Sequence, residues 1–189
     1  KNSIFIFGGR LPMHMHGSFF NNTEGGIEEE DGGYKGKYVS RGKYDTLNDS
    51  FRESFDKILK LSSNNNVILI YPIPEVGWNV RQKLMNSAPR KLSFNRTDYI
   101  PEKWLTTSYE VYKNRSRSSF ELLDSIQGDN VYRVYPHKLF CNTVVKDRCI
   151  THDDKYVYYH DNNHPSLKGA EMINNLIMKH VKDIKLKSK

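Results

Sequence analysis

Asp161 and His164 stand three positions apart in the segment Asp161-Asn162-Asn163-His164-Pro165-Ser166, a carboxylate and an imidazole spaced so that one can aim the other. In a short turn the carboxylate accepts the Nδ1 proton of the ring, fixes its tautomer and leaves Nε2 to take a proton from a nucleophile. Residues 156–159, with three tyrosines and Val157, read as a strand, and the chain from Ser166 onward reads as a helix. The pair is therefore expected on a strand-to-helix turn, a place that commonly carries chemistry. Ser166 is the expected helix cap, and Pro165 sits just ahead of it where no helical N–H is lost. A bare Asp-x-x-His also arises by chance, so the pair gains weight only from its surroundings.

Other residues with chemical potential carry less. His14 and His16 alternate with Met13 and Met15, but two histidines without a third ligand read as a solvated loop rather than a metal site. Cys141 and Cys149 are the only cysteines, and with His152 and Asp153 nearby they still match no structural zinc spacing. No metal and no cofactor are expected. A local disulfide between the two cysteines, formed in an oxidising compartment, would stabilise the fold by roughly 2–3 kcal/mol; two free thiols are the alternative. Trp78, Trp104 and the twelve tyrosines can stack on sugar rings, although most are expected in the core.

The frame that must hold these residues is bounded by bulk properties. A chain of 189 residues with 37% hydrophobic and 27% charged content fits one globular domain, and no stretch approaches the roughly 20 apolar residues of a membrane span. The opening residues lack a signal-peptide pattern, so the segment is expected to belong to a longer protein. A net charge of +7 would suit nucleic acid or an anionic membrane surface. The distribution argues otherwise: basic residues are scattered apart from Lys179, Lys182, Lys185, Lys187 and Lys189, and no RNA-binding sheet, zinc finger or recognition helix is visible. A nucleic-acid partner is not expected.

Along the chain, residues 3–7 form a β-branched and aromatic run ended by Gly8-Gly9, and residues 67–71 a continuous apolar run stopped by Pro72 and Pro74. Both read as buried strands, the second in the manner of a parallel strand covered on both faces. About residues 10–43 the chain is rich in Gly, Asn and acids and reads as a long irregular insertion. Helices are expected where Phe51, Phe55, Ile58 and Leu59 form a stripe, where Tyr109, Tyr112, Phe120, Leu123 and Ile126 do, and where Ala170, Ile173, Ile177, Val181 and Ile184 do. With a further strand at residues 131–135, the alternation predicts a three-layer α/β/α sandwich with a mainly parallel sheet and right-handed crossovers.

The order of these pieces resembles the SGNH hydrolase superfamily, whose last block is an Asp-x-x-His before the final helix. More closely it resembles the SGNH domain at the C-terminal end of family 3 membrane acyltransferases, which O-acetylate bacterial surface polysaccharides. The likeness rests on Ile4-Phe5-Ile6-Phe7-Gly8-Gly9-Arg10, with Leu11 where Trp is usual, and on Ile68-Leu69-Ile70-Tyr71-Pro72-Ile73-Pro74-Glu75-Val76-Gly77-Trp78-Asn79-Val80. Ser108-Tyr109-Glu110-Val111-Tyr112, the pair Cys141 and Cys149, and the segment from Asp161 to Ser166 continue it. It implies that the sheet begins before residue 1, where a Gly-Asp-Ser block would supply the nucleophile. Gly128-Asp129-Asn130 has Asn in place of Ser, and Ser18, in His16-Gly17-Ser18, lacks the strand-to-helix turn that exposes a nucleophile.

The resemblance implies that His164 is the general base oriented by Asp161, and that acetyl passes through a serine acyl-enzyme to a sugar hydroxyl. Carbohydrate esterase activity, or a non-catalytic domain binding glycan or a partner, are the alternatives. Gly9 and Arg10 occupy the place of oxyanion donors, although Arg10 would equally suit a carboxylate such as Glu75. The acyl donor would come from a membrane acyltransferase domain, and the setting would be extracytoplasmic, periplasmic or at the cell surface.

Overall fold

A computed structural model describes residues 3–28, 47–62, 65–87 and 103–187. In chain order the elements are β1 (Ile4–Phe7), α1 (Leu11–His16), α2 (Leu47–Ser62), β2 (Asn66–Ile70), α3 (Val80–Ser87), β3 (Thr106–Ser108), α4 (Tyr109–Asp124), β4 (Val131–Val134), α5 (His137–Phe140), β5 (Arg148–Ile150) and α6 (Leu167–Lys187). The main sheet runs β1-β2-β4, all parallel, with Ile6 beside Ile68 and Ile68 beside Tyr132. As the continuous apolar run requires, the central β2 is covered on both faces, and Val67, Ile68 and Leu69 are fully buried.

Alternation along β2 divides the core in two. Ile68 packs with Ile173, Ile177 and Ile184 of α6 on one face. Val67, Leu69 and Tyr71 pack with Phe55 of α2 and Leu122 and Leu123 of α4 on the other. Helix, sheet and helix thus form the three layers expected from the sequence. Strand β1 is paired on one side only among the described residues, and Ile6 on it is half exposed.

Three local features depart from the expectations. Residues 156–159 are not a strand of the sheet; Val157 and Tyr159 make only isolated bridges, to His152 and Pro165. Their backbone is satisfied locally instead, because Tyr158 N–H donates to Thr151 O, Ser166 N–H to Tyr158 O and Ser166 Oγ to Val157 O. The early part of the supposed irregular insertion holds helix α1, which carries a proline in its first turn and ends where Gly17 N–H bonds Met13 O at 2.9 Å; residues 29–43 lie outside the described ones. A second, two-stranded sheet pairs β3 with β5 antiparallel, and Cys141 and Cys149 are joined by a disulfide at its edge.

The aromatic stripe of α4 also encloses a histidine. His137 is buried against the rings of Tyr112, Phe120 and Tyr135, and its Nδ1 has no hydrogen-bond partner. Burial, with Lys138 beside it, lowers its pKa to about 4. The unfolded imidazole protonates near 6.5, so between about 6.5 and 4 the unfolded chain binds more protons and stability must fall as pH falls. Denaturant titrations across that window are expected to show this loss, with His137→Phe flattening it. An unchanged slope in the variant would assign the acid sensitivity to another group.

Candidate active site

Asp161 builds the turn that holds His164. Its Oδ1 accepts the backbone N–H groups of Asn163 at 2.9 Å and His164 at 2.8 Å, while Oδ2 lies 2.8 Å from His164 Nδ1. Since an ionised carboxylate can only accept, Nδ1 is the protonated nitrogen and Nε2 keeps its lone pair. Partial burial pushes the Asp161 pKa up, but the N–H donors of Asn163 and His164 and the imidazole outweigh it and hold the carboxyl below its usual range. The His164 side chain is 72% exposed, so Nε2 is open to an incoming group.

The turn is clamped from both sides. His160 N–H closes it by donating to His164 O at 2.8 Å. From the loop after β2, Val76 N–H and Gly77 N–H donate to Asn162 O, and Val80 N–H, at the start of α3, donates to Asp161 O. Gly77 takes φ +80°, and a Cβ there would lie 2.6 Å from Gly26 O, so no larger residue fits the clamp. Behind the turn, Ser166 caps α6 by accepting Gly169 N–H at 3.2 Å. Gly169 is required for the close approach of α6, since a Cβ would fall 2.2 Å from Tyr158 O. Buried Tyr159 anchors the segment through its hydroxyl, which donates to Pro74 O at 2.8 Å.

Arg10 lies just beyond β1, as expected, but its guanidinium is engaged elsewhere. Nε donates to Glu75 Oε1 at 2.7 Å and Nη1 to Glu28 Oε1 at 2.7 Å and Met13 Sδ at 3.3 Å; Nη2 bridges Glu28 and Glu75. All five N–H donors of the group are thereby used. Desolvation would lower its pKa, yet the hydrogen bonds it donates to Glu28 and the charge of Glu75 raise it. Arg115 of α4 adds a second cation, with Nε 3.1 Å from Glu75 Oε2. Glu28 in turn accepts Asn163 Nδ2 at 2.8 Å, so the cluster reaches into the acid–base turn. Gly9 is exposed, and nothing lies within 4 Å of the Cβ position it lacks.

The remaining candidates are placed as follows. Ser18 Oγ accepts from Arg115 Nη1 at 3.2 Å, and no described hydroxyl is hydrogen-bonded to His164 Nε2. His16 Nε2 contacts Arg115 O at 2.9 Å. Buried His152 accepts Leu105 N–H on Nε2 and donates Nδ1 to Asp153 O, which makes it a structural group. No cluster of potential metal ligands occurs among the described residues. Glu28 and Asn163 were not singled out by the sequence. Glu28 opens the acidic run Glu28-Glu29-Glu30-Asp31, and nothing in its type marks which member is buried.

A parallel sheet with helices on both faces thus carries an Asp-x-x-His turn ahead of its last helix. The family model described as "SGNH domain (fused to AT3 domains)" matches residues 2–179, and the chain belongs to that family. Among the curated proteins and the solved structures no significant match occurs. A domain of this description, fused to AT3 domains, suggests an acyltransferase- or esterase-type function.

Replacing Arg10 leaves two buried carboxylates short of a cation, which typically costs about 3–5 kcal/mol. Arg10→Ala is expected to lower unfolding stability by that order, and Arg10→Lys to recover only part because an ammonium cannot span both carboxylates in parallel. Denaturant midpoints would measure both; a change under about 1 kcal/mol in Arg10→Ala would show that the cluster does not support the site.

Proposed function

We propose that the domain transfers an acyl group, an acetyl in the simplest case, to a carbohydrate hydroxyl through a serine acyl-enzyme. The observation that carries this reading is the 2.8 Å contact of Asp161 Oδ2 with His164 Nδ1, which leaves an exposed Nε2 as base. His164 takes the proton of the serine as it attacks the acyl carbon. It then gives that proton to the leaving group, and Asp161 stabilises the imidazolium between the steps. From the resemblance to SGNH hydrolases, the serine is proposed to lie in a Gly-Asp-Ser block N-terminal to residue 1; Ser18 is held by Arg115 and Ser166 caps α6. The backbone N–H of Gly9 is the proposed oxyanion donor, while Arg10 holds the surrounding loops. An acyl donor supplied by an AT3 membrane domain and an extracytoplasmic setting complete the proposal; the disulfide supports the latter.

The openness of His164 favours one second reading, an esterase in which water is the acceptor. Both readings require the same base. In the complete protein, His164→Ala is expected to lower aryl acetate turnover by about three to four powers of ten with the fold retained by circular dichroism. Turnover within about threefold of the wild type would remove His164 from the mechanism.

A further inference from the structure

Two open grooves lie beside the acid–base turn and adjoin at the start of α3, where Asn79 and Gln82 line both. One is lined by Trp78, Lys83 and Asn86 and reaches Asp161 and Asn162. The other passes between α3 and the first turn of α6, by Arg81, Lys155, Tyr156 and Lys168. Each holds an aromatic ring with a lysine over it: Lys83 Nζ lies 4.9 Å from the Trp78 ring centre and Lys168 Nζ 5.0 Å from that of Tyr156.

The charge along this path is one-sided. Its acids are already engaged, Asp161 with His164 and Glu171 with Lys168 at 2.9 Å. Arg81, Lys83 and Lys155 are exposed and have no carboxylate partner among the described residues. Unpaired cations along a groove concentrate anionic ligands. The amides of Asn79, Gln82 and Asn86 each offer donors and an acceptor, which suits neighbouring hydroxyls, and the rings offer apolar faces to a pyranose. Separated cations interleaved with amides and rings fit a glycan, whose acid groups stand among hydroxyls, better than nucleic acid, whose phosphates stand between bases.

We propose that this pair of adjoining grooves binds an anionic glycan, with its acid groups on Arg81, Lys83 and Lys155 and its path beside the Asp161–His164 turn. The inference rests on the carbohydrate acceptor proposed above and adds the charge of that acceptor and the residues that select it.

The test uses the intact protein carrying this domain and three probes: polygalacturonate, neutral dextran and poly(U) RNA, with affinities measured by calorimetry at low and at physiological salt. Polygalacturonate is expected to bind roughly tenfold or more tightly than dextran, with the advantage shrinking as salt rises. The variant Arg81→Gln/Lys83→Gln/Lys155→Gln, which breaks no ion pair, is expected to lose most of that preference, roughly tenfold, with its circular dichroism unchanged. Equal binding of polygalacturonate and dextran, binding of neither, an unaltered preference in the triple variant, or RNA bound as tightly as polygalacturonate would each overturn the assignment. Aryl acetate turnover by the wild type in the same preparation reads the chemistry separately. Turnover without the glycan preference overturns the groove alone, whereas the preference without turnover leaves the groove standing and removes the chemistry.

Discussion

Glu28 and Glu75 are buried carboxylates, and a carboxylate removed from water without a cation costs several kcal/mol. Satisfying both draws together four separate parts of the chain. Arg10 comes from the end of β1, Arg115 from α4, Glu75 from the loop after β2, and Glu28 from a turn that Phe20 N–H and Asn163 Nδ2 also hold. Two cations against two carboxylates leave the cluster neutral. Charge compensation therefore does for this edge of the sheet what hydrophobic packing does for its centre.

The acid–base pair inherits its position from that arrangement. Asp161 spends one carboxylate oxygen on backbone N–H groups and the other on the imidazole, so shaping the turn and setting the tautomer are the work of one side chain. Asn163 faces the opposite way and ties the turn to Glu28. Backbone bonds from Val76, Gly77 and Val80 then fix the depth of the turn against the end of β2. Rigid support behind an exposed imidazole is what general-base catalysis needs, because the proton acceptor must wait in place for its donor.

How much of this the sequence discloses follows from where the physical signal is local. The run at residues 67–70 is apolar throughout because β2 is packed on both faces, and the stripe from Ile173 to Ile184 is periodic because α6 buries one face. The Asp161–His164 pair is legible because its contact spans three residues. Residues 156–159 mislead, since aromatic and β-branched side chains suit a strand while their backbone hydrogen bonds go to Thr151, Asp153 and Ser166. Helix α1 is six residues long and too short to show a stripe, although Pro12 and Gly17 punctuate it. The partnership of Arg10 with Glu75 could be suspected from the residue types, but Glu28 could not, because its burial depends on side chains distant in sequence.

The central claim is that Asp161 holds His164 in the Nδ1-protonated tautomer with Nε2 free as base. Nitrogen-15 NMR of the His164 imidazole near neutral pH tests it most directly. The account predicts a protonated Nδ1 whose proton exchanges slowly and correlates with Asp161, together with an unprotonated Nε2. A ring protonated on Nε2, or one averaging rapidly between tautomers, would contradict it.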